Sequence, residues 1–599
     1  MSENIAAHAD RPSRPEKGWK KNKVAAHASG EDAYRGIGTS RGIAIGAAYA
    51  FEKEQYEHEN KVIAPDEAEQ EIERFLEALR RSEKELKKIE RVTTRKLGKG
   101  YANLFEAQIM LLHDPVLIES ITNRIRTELK AASLVIDEEF GKYLEQFMNS
   151  DDQFFQERAC DFRDIKERII RNLHIKKLHS WIPEGSIVVS EHLSPADVIL
   201  LSRSNVKGFV TDTGGKTSHI ALICKSLNIP MVVGLGNFSQ LVSTGDLLII
   251  DGESGTVVIN PDQKTIEYYT GKRDEALRFD ADASLTAEQP AYTRCGVRIS
   301  FFSNIDFKEE LLGIRATGSE GVGLFRTENL FIDGTKVPSE SEQLNYYLEM
   351  AETLAPMPLV VRLFDIGGDK LLYSPVREPN PNLGWRGIRI LIDVPEILES
   401  QLRAVLQANV HGNIHILLPM ISSIEEIRFI KETLDKLCSA IREEKGHAEK
   451  PFIGAMIEVP AAVEMIAEIS REVDFVSIGT NDLTQYTLAV DRNNVIVQDL
   501  FDKFHPAIVR QVHRVITTAQ KNRCRVSICG DMGSDRLALP FLLGCGLRKF
   551  SVVCADIAKL KKLVSGITLA ETEIVANECL QLDSAAKIKG RLEEYLAAL

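Results

Sequence analysis

The segment Asp212-Thr213-Gly214-Gly215-Lys216-Thr217-Ser218-His219 sets a histidine behind paired glycines, between a strand-like run (Gly208 to Thr211) and a helix-like one (Ser218 to Leu227). Paired glycines permit a tight turn with positive φ, and the helix that follows would offer free N–H groups and the positive end of its dipole to an anion. A neutral imidazole, with a pKa near about 6.5, attacks phosphorus without a separate base. The residues therefore allow a phosphohistidine at His219. A histidine behind a glycine turn, taken singly, also fits a surface or helix-cap position.

A second constellation lies in the C-terminal half. Arg326, Arg362 and Arg492 each follow or end a short apolar run. A planar guanidinium donates paired hydrogen bonds to phosphate oxygens and stays charged, so arginines converging on one point suit phosphoryl transfer, whereas each alone fits a surface ion pair. Glu458, in Ala455-Met456-Ile457-Glu458-Val459-Pro460, and Asp482, in Gly479-Thr480-Asn481-Asp482-Leu483, are hard oxygen ligands on two neighbouring runs. With water and substrate oxygens they describe a Mg²⁺ site, although Asp482 alone also reads as a helix N-terminal acid. The loop Asp365-Ile366-Gly367-Gly368-Asp369-Lys370 puts a lysine within reach of phosphate, and Asn380 to Gly387 adds Arg386 in a constrained loop.

The elements that must position these groups follow from the pattern. The 599 residues exceed one ordinary core and suggest about three or four units. At 44% hydrophobic and 27% charged, the composition is that of a globular protein with large cores. A formal net charge of −13 argues against wrapping nucleic acid or an anionic membrane, so an anionic substrate must meet a local arginine cluster. Nine cysteines, an odd count with no Cys-x-x-Cys pair, point to a reducing compartment. With no signal-like apolar stretch and no run of about 18 apolar residues, the expected location is the cytoplasm, without membrane insertion.

Residues 1–35 are polar and predict a disordered N-terminal extension, with order beginning at Gly36. From Pro65, Ile72, Phe75, Leu76, Leu79, Leu86 and Ile89 recur at helical spacing, and helical stretches continue through Leu104 to Leu112, Val116 to Leu129 and Phe162 to Leu173. Residues 60–178 thus predict an all-helical unit inserted into an α/β domain formed by residues 36–59 and 179–261. A charged helical linker follows at 262–285. Eight apolar runs then alternate with helix-length stretches: Val297 to Phe302, Gly321 to Phe325, Leu359 to Phe364, Ile414 to Met420, Phe452 to Ile457, Phe475 to Ile478, Arg525 to Ile528 and Lys549 to Val553. They predict a (β/α)₈ TIM barrel over 286–599, with function just past the carboxyl end of each strand. The fold class expected is multidomain α/β.

Thr211-Asp212-Thr213-Gly214-Gly215-Lys216-Thr217-Ser218-His219, followed by Ile220, Ala221, Leu227, Pro230 and Val233-Gly234, resembles the phosphohistidine domain shared by enzyme I of the bacterial phosphotransferase system and by the pyruvate phosphate dikinase and phosphoenolpyruvate synthase group. Taken with the helical insert and the barrel segments, the chain is similar to enzyme I from Gly36 to its end. The resemblance implies that phosphoenolpyruvate phosphorylates His219 in a swivelling domain, releasing pyruvate, and that the phosphoryl group passes to the carrier protein HPr. It also implies Mg²⁺ on Glu458 and Asp482, substrate contacts from Arg326, Arg362, Lys370, Asn481, Asp482 and Arg492, HPr docking on the helical insert, and a homodimer through the barrel. Loss of the phosphoryl group leaves an enolate that needs a proton at its methylene carbon, and Cys529, at the end of the seventh run, matches the family's proton donor. A cysteine in such a run also fits a small buried hydrophobe.

The sequence departs from the family pattern at Lys216, usually arginine; at Asp531, usually glutamate; and at Ser551-Val552-Val553, usually Ser-Met-Ser. The last two bear on the proton-donor end of the site. A dikinase or synthase would need a nucleotide-binding domain, and neither the first 35 residues nor the helical insert carries a Gly-rich phosphate loop. A regulatory paralogue that kept the fold and lost turnover is the other alternative. One static arrangement serves two partners poorly, so residues 262–285 are expected to act as a hinge region.

Overall fold

The computed structural model describes residues 23–25, 32–51, 62–97, 99–148, 153–174, 182–215, 219–285, 287–331, 337–367, 380–492, 497 and 500–599. The chain divides into two compact units, one of residues 1–53 and 181–273 and one of residues 54–180 and 274–599.

The first unit is built on strands β1 (Lys23–Ala25), β2 (Asp32–Arg35), β3 (Ile37–Ser40), β4 (Ile43–Ala50), β5 (Ile187–Ser190), β6 (Gly208–Thr211), β7 (Met231–Val233), β8 (Leu247–Asp251) and β9 (Thr256–Ile259). Their order is β1-β2-β9-β8-β4-β5-β6-β7-β3. β4, β5, β6 and β7 run parallel, and β8 joins β4 antiparallel. Strands β5, β6 and β7 are buried along their whole length, as the continuous Ile-Val-Val and Gly-Phe-Val runs require. Ile187, Val189, Val210, Val232, Leu248 and Ile250 form the core. Strands β1 and β2 correct the expectation that order starts at Gly36: β2 pairs antiparallel with β9, and Ala33 is buried. Pieces of three and four residues are too short to display a strand period, and only the edge they find fixes them.

The second unit opens with the helices α1 (Ala68–Leu97), α2 (Lys99–Leu112), α3 (Pro115–Glu128), α4 (Ala132–Met148) and α5 (Gln153–Leu173). In α1, Ile72, Phe75, Leu79, Leu86 and Ile89 make one buried stripe. Helix α3 is capped by Asp114, whose carboxylate accepts from Val116 N at 2.8 Å. Helix α4, which the sequence reading had not singled out, buries Val135, Ile136 and Phe140. Two further helices, α6 (Pro195–Leu201) and α7 (His219–Ser226), belong to the first unit, and α8 (Gln263–Leu285) runs across the boundary between the two.

Strand β10 (Ala291–Tyr292) makes an antiparallel hairpin with β11 (Arg298–Ile305). Then follow β12 (Val322–Phe325), β13 (Leu359–Arg362), β14 (Ile414–Leu418), β15 (Phe452–Ile457), β16 (Phe475–Ile478), β17 (Arg525–Ile528) and β18 (Lys549–Val553). All neighbours from β11 to β18 pair parallel, and β18 pairs back onto β11, so the eight strands close into the expected barrel. Residues alternate between the shell, where Val361, Ile416, Ala455, Ile478 and Ile528 pack, and the interior, where Leu324, Val360, Leu417, Met456, Phe475 and Cys529 form a separate cluster. Among the described residues, no helix is long and apolar enough to cross a membrane.

Candidate active site

Strand ends place the charged groups. β12 stops one residue before Arg326, β13 ends on Arg362, and β15 stops before Glu458. β16 leads through Gly479 into the helix Thr480–Leu488, whose first turn carries Asn481 and Asp482; β17 stops before Cys529. Parallel register puts all of these at one mouth of the barrel.

Arg326 Nη1 donates to Asp306 Oδ1 at 3.1 Å. The side chain of Arg362 is 10% exposed and forks between Glu328 Oε1 at 2.8 Å and Asp365 Oδ2 at 3.3 Å, while its Nε finds no partner among the described residues. Glu328 Oε1 also accepts from Asp365 N at 2.9 Å, fixing the loop that leaves β13. Arg386 grips Asp365 with two bonds of 3.2 and 2.8 Å, reaches Asp482 Oδ1 at 3.4 Å and donates to the Tyr486 hydroxyl at 2.9 Å. Gly367 faces Arg386 so closely that an added Cβ would stand 2.1 Å from the arginine Cβ. Burial works against both guanidinium charges, but the carboxylates around Arg362 and Arg386 outweigh it and hold both above their ordinary pKa.

Glu458 is 1% exposed, and its Oε1 accepts from Met420 N at 2.7 Å. Burial first, then the Asp482 and Asp365 carboxylates, push its pKa up to about 8 against the pull of Arg362 and Arg386. Carboxyl groups that repel one another in this way favour a proton or a cation beside them. Cys529, 3% exposed, donates weakly through Sγ to Ile478 O at 3.5 Å. Burial, the larger cause, pushes its thiol up to about 11, with Glu458 adding to the shift and Ser477, Arg362 and Arg326 opposing it. At neutral pH the thiol keeps its proton and can act as an acid.

The structure thus brings together Arg326, Arg362, Glu458, Asp482 and Cys529, with Asn481 beside them accepting from Asp531 N at 2.9 Å. Arg492 follows the same helix and its N donates to Gln485 Oε1 at 3.4 Å. Lys370 lies outside the described residues, as do Lys216, Thr217, Ser218 and the side chain of His219. The backbone of His219 opens α7, and Gly214 ahead of it has φ +119°, a conformation that favours glycine. The sequence reading had missed Asp306, Glu328, Asn304 and the placement of Arg386. Asn304 lies at the end of β11 and Asp306 just past it, positions that barrel logic could have flagged; the partners of Glu328 come from the end of another strand and had no local signal.

Three family models match: the N-terminal domain of PEP-utilising enzymes over residues 35–158, their mobile domain over 182–255 and their PEP-binding domain over 280–569. The phosphoenolpyruvate-protein phosphotransferase of Bacillus subtilis (strain 168) is 36% identical over 94% of this chain and 99% of its own length. That of Haemophilus influenzae is 36% identical over 94% and 98%. Among solved structures, an NMR structure of an enzyme I protein is 39% identical over 41% of this chain and 99% of that one, with a TM-score of 0.36.

Proposed function

The chain belongs to the phosphoenolpyruvate-protein phosphotransferase family, and from that premise we propose how its residues divide the reaction. It is a transferase that uses phosphoenolpyruvate to phosphorylate protein within the phosphotransferase system. The observation that carries the reading is the barrel mouth, where Arg326 pairs with Asp306 and Arg362 with Glu328 beside the buried thiol of Cys529.

Arg326 and Arg362 exchange part of their carboxylate contacts for the phosphate of phosphoenolpyruvate, joined by Lys370, Arg492 and Asn481. Glu458 and Asp482 would hold Mg²⁺. The fit rests on the buried carboxyl of Glu458, which its acidic neighbours keep from ionising alone. Among the described residues no three His, Cys, Asp or Glu side chains gather as a full ligand set, so the protein supplies two ligands and oxygens of substrate and water the rest. The ion, when bound, neutralises charge on the phosphoryl oxygens.

The imidazole of His219 attacks phosphorus; the N–P bond forms as the bond from phosphorus to the enol oxygen breaks. The enolate then takes the proton of Cys529 Sγ at its methylene carbon to give pyruvate, and the thiolate recovers a proton from water. His219 next passes the phosphoryl group to HPr, docked on the helical region α1 to α5, with α8 as the hinge region and a homodimer formed through the barrel in the cytoplasm. Incubation with labelled phosphoenolpyruvate and Mg²⁺ tests the scheme: acid-labile label appears on the protein, none comes from ATP, and none remains in His219→Ala. Equal labelling of that variant would overturn it.

A further inference from the structure

Cys529 is held at its backbone from two sides of the barrel. Its N donates to Ile478 O at 3.1 Å across the β16–β17 ladder. Its carbonyl accepts from Asn304 Nδ2 at 3.0 Å, a bond that spans from the end of β11 past β18 to the end of β17. Asn304 is itself fixed: Ser551 Oγ, on β18, donates to Asn304 Oδ1 at 2.6 Å. The carbonyl of Cys529 can only accept, so the amide must turn its Nδ2 toward it and its Oδ1 toward Ser551, and the chain of contacts has one direction, from Ser551 to Asn304 to the carbonyl of Cys529. The room for it is made by Gly323 on β12, where a Cβ would lie 2.3 Å from Ser551 Oγ and 2.8 Å from Phe302 Cβ.

We propose that Asn304 and Ser551 are positioning residues for the thiol of Cys529, acting on the protonation of the enolate and not on the transfer of the phosphoryl group; the inference rests on the reading of Cys529 as proton donor. With N–H and C=O both tethered, the Cα–Cβ direction of Cys529 is set, and with it the line along which Sγ delivers its proton. In the step itself the S–H bond breaks, the enolate π pair forms the new C–H bond, C2–O becomes the ketone and sulfur keeps the electron pair. The negative charge on sulfur then lies beside the residue's own carbonyl dipole. Donation from Asn304 to that carbonyl withdraws charge from it and eases the build-up of thiolate. None of these contacts touches Arg326, Arg362 or the two carboxylates that would hold the ion.

The test separates the two half-steps in the full-length protein with labelled phosphoenolpyruvate and Mg²⁺ in a single turnover. In Asn304→Ala and Ser551→Ala, label should reach His219 within about twofold of the unmodified rate, while enzyme-catalysed pyruvate formation slows by roughly tenfold to a hundredfold, more for Asn304→Ala. A structural defect would slow both steps together, and that result, or no change in either step, overturns the proposal. Ser551→Ala removes one oxygen and serves alone should Asn304→Ala fail to fold. Cys529→Ala is the reference: if it makes pyruvate at the unmodified rate, the reading of the thiol fails and the inference with it. If it does not, and both clamp variants do, the inference alone fails.

Discussion

At the scale of single residues, the site is defined by charges that oppose burial. Glu458 has the largest consequence. In the folded chain burial and the neighbouring carboxylates raise its pKa from 4.5 to about 8. The folded state therefore holds a proton that the unfolded state releases between those values, so the stability it contributes is fully present below about pH 4.5 and is lost as pH rises through about 8. In metal-free protein the melting temperature should fall across this window, the fall should be smaller in Glu458→Gln, and added Mg²⁺ should offset it in the unmodified chain only. Melts of the two proteins at several pH values, with and without Mg²⁺, check this; identical slopes would show that the charge lies elsewhere. Arg362 gives a second prediction. Its fork reaches Glu328 and Asp365 with separate nitrogens, a geometry that one ammonium cannot reproduce. Arg362→Lys should lower kcat/KM for phosphoenolpyruvate by roughly a hundredfold to a thousandfold while the melting temperature changes little by comparison.

Among the elements, the barrel strands both bury their shell face and set the depth of the site. β11 runs from Arg298 to Ile305, three residues past the expected end at Phe302, because it pairs on both sides, with β12 and with β18. That extension is what carries Asn304 to the mouth. β12 is only four residues long and leaves Gly323 against Ser551, where a methyl group has no space. Gly323→Ala should cost about 1–3 kcal/mol in urea unfolding through overpacking and should slow pyruvate formation by displacing Ser551. An unchanged urea midpoint would mean that the strands yield there. In the first unit, Asp251 at the end of β8 accepts from Glu253 N at 3.0 Å and from Ser254 N at 3.2 Å, and pairs with Lys272 on α8 at 2.8 Å. The first half of α8 is thereby attached to the sheet of the first unit.

For the whole molecule, the division of labour makes a prediction that no single residue makes. On the proposed scheme, loading of His219 needs the barrel mouth and its ion, whereas discharge to HPr needs neither. EDTA added before phosphoenolpyruvate should abolish labelling; EDTA added after labelling should leave transfer of the label to HPr intact. A block at both stages would place the ion in the second reaction as well. The sequence by itself was enough for the eight barrel strands, the helical character of α1 to α5 and the positions of Arg326, Arg362, Glu458, Asp482 and Cys529, because each is written locally, in an apolar period or in a charged residue just past an apolar run. It missed β1 and β2, whose three and four residues carry no period, and it did not distinguish α4. Which groups neutralise one another was left to the tertiary structure. The fork of Arg386 between Asp365 and Asp482, and the path from Ser551 through Asn304 to Cys529, join residues separated by 96, 247 and 225 positions. Closure of β18 onto β11 brings the ends of the barrel sequence together, and hydrogen bonds with a reach near 3 Å cannot be inferred from spacing until that closure has set the distances.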